Sequence, residues 1–245
     1  MSQAANRSSN SHRIQGMQHI GIAVTDMDRS LRLYRQLFGM DIPFFDSVQE
    51  APLMDSHTRG ETILKRASMV LNLQGGCAFE VLQPTSFEPK PASWEIGLGD
   101  LGIAVVQMKT KDIVRMHKHA LQFDDVNCDD KLTTTPWGAP TFFLNDLDGN
   151  VFQILEASDS FAKTGHASGG VLGCTIGVSD METSLKLYAT TLGYSKVLYD
   201  ETAVQSDWSH RPHGSETYRR VRLTQPNSGS GGFGPLTGRT YIELV

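Results

Sequence analysis

Cysteine is scarce in this chain: Cys77, Cys128 and Cys174 are the only three in 245 residues, widely spaced and without a Cys-x-x-Cys pair. That excludes a disulfide framework and a four-cysteine zinc site. The expectation is reduced thiols, small apolar groups in or near the core of a cytoplasmic protein. No apolar run approaches the roughly twenty residues of a membrane span. The Ser/Asn-rich start, Met1 to His12, lacks the apolar middle of a secretory signal and reads as a disordered tail. No run of Lys or Arg appears and the net charge is -5, so neither nucleic acid nor an anionic membrane is an expected partner. Gly229 to Gly234 is rich in glycine, but no Lys-Ser/Thr pair and no helix follows it, which excludes a phosphate-binding loop. What remains is ordinary globular composition, 39% hydrophobic, enough for one large domain or two small ones.

What the chain does have is a repeat. His19-Ile20-Gly21-Ile22-Ala23-Val24 alternates like a strand, with His19, Gly21 and Ala23 on one face and Ile20, Ile22 and Val24 on the other. After Asp26, a residue suited to capping a helix, the period changes. Leu31, Tyr34 and Phe38 share a helical face, and Gly39 stands at the expected stop. Gly16 to Gly39 and Gly170 to Gly193 agree at ten of twenty-four positions. A fainter copy aligns Asp100-Leu101-Gly102-Ile103-Ala104-Val105 with His19 to Val24 and is followed by a helical stretch, Thr110 to Gln122.

Each copy continues in the same order. The first adds strands at Ile42 to Val48, Thr62 to Leu73 and Cys77 to Gln83, with a Gln74-Gly75-Gly76 hairpin turn and a polar loop over Glu50 to Gly60. The second adds Asp130 to Thr134, Thr141 to Asn145 and Asn150 to Glu156, with a tight turn at Asp146 to Asn150. Pro84 to Ile96, with three prolines, is a linker. The third copy ends at Tyr241 to Val245, after a long glycine-rich hairpin loop at Pro226 to Gly238. The fold class is α+β, built from three βαβββ modules.

A βαβββ module in tandem, the His-Ile-Gly-Ile-Ala-Val strand, a Ser-Leu-x-x-Tyr helix ending in Leu-Phe-Gly and an Asp-x-Asp-Gly-Asn turn together resemble the vicinal oxygen chelate superfamily. That family includes glyoxalase I, fosfomycin and bleomycin resistance proteins, methylmalonyl-CoA epimerase and extradiol dioxygenases. The resemblance covers about Met17 to Val245. It implies that two modules pair into a curved-sheet cup and that a divalent metal is held by one residue from the first and one from the last strand of each module. The expected organisation is a tail at 1–14, a paired-module domain at 15–157, a linker at 158–169, and a third module at 170–245, half of a second such domain.

Carried over by position, the resemblance makes His19 and Glu80 the metal ligands of the first module, and Asp100 and Gln153 those of the second. Two of the four depart from the family's usual histidine and glutamate. Strand parity favours Gln153 over Glu156, three residues away and on the opposite face. One imidazole with carboxylate and amide oxygens suits manganese, iron(II), nickel, cobalt or zinc. Such an ion would polarise a substrate oxygen while a carboxylate, here Glu80, moves a proton from carbon.

The leading expectation is a metal-dependent isomerase or lyase of the glyoxalase I type acting on a small oxygenated substrate. The alternative is a metal-free binding protein of the bleomycin-resistance type, in which His19 and Glu80 are merely polar groups at the mouth of an apolar cup. A ring-cleaving dioxygenase is disfavoured, because Gly173 stands where His19 stands in the first module and has no side chain to bind metal. His117 and His119 read as surface residues of a helix. His210 and His213 read as polar loop residues that could rim a pocket, and Trp94, Trp137, Phe142 and Phe143 as core or cup lining. An odd module count leaves one module unpaired, which implies a fourth module beyond Val245, the favoured expectation, or pairing with another subunit as a homodimer.

Overall fold

The computed structural model describes residues 14–227 and 229–245; the rest of the expected tail, 1–13, lies outside the described residues. The first module is β1 (His19–Ala23), α1 (Met27–Phe38), β2 (Ile42–Glu50), β3 (Leu64–Leu71) and β4 (Ala78–Pro84). The second is β5 (Gly102–Thr110), α2 (Ile113–Ala120), β6 (Asn127–Cys128), β7 (Thr133–Thr134), β8 (Pro140–Asn145) and β9 (Val151–Glu156). The third is β10 (Ser168–Gly177), α3 (Met181–Leu185) running into a wider π-type turn over Lys186–Thr191, then β11 (Lys196–Val204), β12 (Thr217–Thr224) and β13 (Tyr241–Leu244). A single short turn of helix, α4 (Gly234–Thr237), sits in the last hairpin loop. No described helix is long and apolar enough to cross a membrane.

All three modules begin alike because the same residue starts each helix. Asp26, Asp112 and Asp180 are extended and accept the N–H of Arg29, Arg115 and Thr183, the standard N-cap geometry. In β1, Ile20, Ile22 and Val24 are buried beneath α1 with Phe79 and Val81 of β4. Gly39 closes α1 at φ 64 with its N–H on Tyr34, a left-handed cap that favours glycine.

The sheets correct one expectation. The first two modules do not join in one cup: β1-β4-β3-β2 forms a sheet of its own, while β5 pairs antiparallel with β10, so the second and third modules share a nine-stranded sheet. The first and second modules instead pack back to back through their helix layers. Tyr34, Phe38 and Phe79 of the first form one aromatic cluster with Phe152 of the second, at centroid separations of 5.0 to 6.2 Å. The turn after β8 is tied to α1 and its approach: Tyr34 Oη donates to Asp146 at 2.5 Å, and Thr25 N and Arg29 to Asp148 at 3.0 and 3.2 Å.

Candidate functional site

With Ile20, Ile22 and Val24 committed to α1, strand alternation turns His19, Gly21 and Ala23 to the opposite, concave face. β4 follows the same logic: Phe79 and Val81 face the helix, so Glu80 and Leu82 face the hollow. The parallel register sets Gly21 beside Glu80, which brings Glu80 diagonally against His19. His19 Nε2 lies 3.3 Å from Glu80 Oε2, with side chains 34% and 24% exposed. Across β3, Met69 is opposite Glu80 and Ala67 opposite Leu82. An imidazole and a carboxylate thus share an open surface on a rigid sheet. Their chemistry and spacing fit half of a divalent-metal site.

Asp100 does not join them. It precedes β5, and its carboxylate accepts the N–H of Gly97 at 2.8 Å. The position equivalent to His19 lies five residues further on: counting back seven from each helix cap, Asp26, Asp112 and Asp180, leads to His19, Val105 and Gly173. The sheet registers agree, because Glu80, Gln153 and Glu243 stand opposite Gly21, Gln107 and Thr175. Gln153 therefore does occupy the position of Glu80, but in the other cup. Glu156 points the other way, accepting the N–H of Ile113 at the start of α2. Among the described residues, no three His, Cys, Asp or Glu side chains gather as a metal cluster.

The cup between the second and third modules holds a network that sequence reasoning missed. Arg220 lies 2.9 Å from Asp207 and 2.7 Å from Glu243, while Arg222 lies 2.5 Å from Glu243 on its other oxygen, all four fully or nearly buried. Gln153 Nε2 donates to Asp207 at 3.2 Å, Gln107 Nε2 to Thr175 at 3.3 Å and Thr175 Oγ1 to Glu243 at 3.4 Å. Two arginines balance two carboxylates. Burial alone would raise the Glu243 carboxyl, but the two guanidiniums outweigh it and hold it below its usual range. For Asp207 burial prevails over Arg220 and raises it. The lids are exchanged: Trp208, in the segment after β11, stacks edge-on against Phe143 of the second module, and Trp137 of the second covers Arg220 and Arg222 of the third.

This second cup does not fit a metal. Its His19 positions are Val105 and Gly173, and a Cβ at Gly173 would lie 2.2 Å from the Tyr241 carbonyl, so no imidazole can stand there. A guanidinium already joins the carboxylates. The signal lay in the sequence as Arg219-Arg220-Val221-Arg222. Arg219 pairs with Asp200 and Glu182 as Arg66 pairs with Asp46 and Asp28, which makes Ala67 and Met69 the counterparts of Arg220 and Arg222.

The other four histidines singled out in the sequence, His117, His119, His210 and His213, are held by protein partners. His117 Nε2 and His119 Nε2 meet the carbonyls of Asp129 and Gln36, His210 meets the Asp129 carboxylate at 3.0 Å, and His213 meets Glu216 at 2.9 Å. His210 does rim an open groove of about 1040 Å³, with Trp94 and Asp148 also on its wall. Burial pushes the Cys128 and Cys174 thiols up to about 12 and raises Cys77 further, so all three stay protonated at neutral pH.

The family model for the Glyoxalase/Bleomycin resistance protein/Dioxygenase superfamily matches residues 16–154. The fold is similar to glyoxalase I from Zea mays, at 17% identity over 94% of this chain and 66% of that one, with a TM-score of 0.56. It is also similar to a putative dioxygenase from Bacillus subtilis, at 15% identity over 95% of this chain and 64% of that one, with a TM-score of 0.58. The chain thus spans about two thirds of the length of these structures. No curated protein sequence matches it.

Proposed function

Since the chain belongs to the glyoxalase, bleomycin resistance and dioxygenase superfamily, we propose that its first module supplies half of a divalent-metal site, His19 and Glu80, in a lyase or isomerase acting on a small oxygenated substrate. The observation that carries this reading is the 3.3 Å approach of His19 Nε2 to Glu80 Oε2 on an open face, where the third module's equivalent face is closed by arginine. A first-row divalent ion bound there supplies Lewis acidity toward a substrate carbonyl or enediolate oxygen. The chain's own residues do the rest. His19 offers an imidazole nitrogen from the first strand, 3.3 Å from the Glu80 carboxylate. Glu80 offers a carboxylate that either ligates or accepts a proton from the carbon beside the polarised oxygen. Met69 and Phe45 lie opposite in register on the neighbouring strands and give the hollow an apolar wall.

The competing reading, a metal-free binding cup of the bleomycin-resistance type, is favoured only by the second cup, whose network excludes metal. Elemental analysis and calorimetric titration with manganese, nickel and zinc separate the two. Under the metal reading the protein takes up first-row metal, and His19→Ala or Glu80→Gln loses it while keeping the wild-type melting temperature. Wild-type protein that takes up none of the three ions would sink that reading.

A further inference from the structure

The groove of about 1040 Å³ runs between the proline-rich segment 84–96 and the turn after β8, and neither His19 nor Glu80 lines it. Trp94 and Phe87, 68% and 51% exposed, stand on its wall beside Pro89 and Pro91. Proline fixes the backbone beneath these rings, so the apolar surface they offer costs little entropy to present.

Arg211, in the turn that follows Trp208, lines the same groove. Its guanidinium sits over the rings of Phe143 and Trp208, 5.0 and 5.3 Å from their centroids, and its side chain is 10% exposed. Of its five N–H groups one finds a hydrogen-bond acceptor among the described residues: Nη1 donates to Asn145 Oδ1 at 2.9 Å. Nη2 stops 3.6 Å from Asp129 Oδ1, and Nε is buried without a partner. Buried donors are ordinarily satisfied, so an orphan of this kind marks a missing acceptor. Burial pulls the Arg211 pKa below its ordinary value, and the Asp129 carboxylate offsets only part of that. A rigid, half-compensated guanidinium is one side of a charge-assisted contact.

Five carboxylates also line the groove, and three of them are spent. Asp146 accepts from Tyr34, Asn150 and the N–H of Asp148, while Asp148 accepts from Thr25, Arg29 and Ser30. Asp129 takes the N–H of Phe143 on one oxygen and meets His210 on the other. None of the three is free to turn fully to Arg211. Glu95 and Asp130 remain exposed, with Lys90 and Arg211 as the cations on the same wall. A single negative charge therefore takes the free donors of Arg211 at small cost, whereas a dianion meets Glu95 and Asp130 as repulsion.

We infer that this groove is a binding site for a small aromatic monocarboxylate, with its carboxylate on the guanidinium of Arg211 and its ring against Trp94. The chemistry divides between the two walls: the linker supplies an apolar face, and the turn after Trp208 supplies the charge. The site needs neither His19 nor Glu80, and so stands apart from the metal reading.

The test is calorimetric titration of the 245-residue chain in chelator with naphthoate, naphthyl phosphate and naphthylmethylamine, which at neutral pH put an anion, a dianion and a cation on the same ring system. Naphthoate is expected to form a one-to-one complex at least about tenfold tighter than either of the others. Arg211→Lys, which keeps the charge and loses the fork, and Trp94→Ala are each expected to weaken it about tenfold. Glu95→Gln is expected to tighten it about threefold by removing a repulsive neighbour. No saturable binding of naphthoate, tighter binding of the phosphate or the amine, or an affinity unchanged in Arg211→Lys and Trp94→Ala overturns the inference. If Arg211→Lys does not fold, Trp94→Ala and Glu95→Gln decide, because both of those side chains are exposed. Weaker binding in the first with tighter binding in the second supports the site, and any other pair of results overturns it.

Discussion

Where the third module has Arg220 and Arg222, the first has Ala67 and Met69, and the fate of the concave face follows from that exchange. In the third module the carboxylate of Glu243 is buried and shared by two guanidiniums, under a lid taken from the second module. In the first, the equivalent carboxylate of Glu80 is partly solvated and has one histidine beside it. The lesson is that one fold yields either an internal polar keystone or a reactive surface, depending on whether a cation is built into the chain or left to be supplied. A buried ion network of this kind specifies how two modules meet more than it stabilises them, since its desolvation offsets much of its attraction.

The sharpest break in the comparison is Arg220→Met. Removing one partner from a buried network leaves Asp207 and Glu243 without their shared cation, and the expected loss is about 3–5 kcal/mol of unfolding free energy at neutral pH. The pH dependence has a definite sign. In the wild type Glu243 titrates below its ordinary value of 4.5, so the stability it contributes is present above that pH and is lost as pH falls through the folded value. In the variant the stranded carboxyls titrate high, so their penalty is relieved as pH falls. The gap between the two proteins should therefore narrow on acidification toward about pH 5 in urea melts. A gap that widens would mean that the network is not what closes this cup.

Met69→Arg tests the converse by making the first module resemble the third. The new guanidinium reaches for Glu80 across the same register that joins Arg222 to Glu243. Metal affinity, read by calorimetry, is expected to fall about 100-fold, near 2.7 kcal/mol, although neither proposed ligand has changed. Unchanged affinity would show that Glu80 is not a ligand.

These same residues show what could be read in advance. His19 and Glu80 were legible as a facing pair because β1 and β4 are covered on one side only, and the alternation of Ile20, Ile22 and Val24 gives their parity directly. β5 is nearly all buried from Ala104 onward, in the middle of a nine-stranded sheet, so alternation is lost there. Gly102-Ile103-Ala104-Val105 then imitates β1 in the wrong register. Asp112, at a fixed distance from the strand in every module, would have set it right. Which modules pair was not legible, because first-strand edges look alike whether or not a partner is bonded to them.

Tyr34 and Tyr188 occupy the same repeat position and offer a smaller contrast. Tyr34 is buried and donates to Asp146, whose carboxyl burial raises despite that bond. Tyr34→Phe removes a hydrogen bond to a buried acid and is expected to cost about 2 kcal/mol. Tyr188 is only partly buried in the third module's helix layer, and Tyr188→Phe is expected to stay within about 0.5 kcal/mol. Equal costs would mean that the back-to-back contact of the first two modules adds nothing to the first.

The smallest effect expected is the one shared by both regions. Arg66 bridges Asp46 and Asp28 on the helix side of the first module, and Arg219 bridges Asp200 and Glu182 on that of the third. Both arginines hold both acids near the surface, where screening and side-chain entropy leave such pairs worth about 0.2–1 kcal/mol. Arg66→Ala and Arg219→Ala should each lower the thermal midpoint slightly and by similar amounts, with the loss fading at high salt. Because these triads lie across the sheet from His19 and Glu80, neither substitution should alter metal uptake. If Arg66→Ala reduced it, the two faces of the first module would be coupled through β3, and the separation between a structural helix side and a chemical concave side would fail.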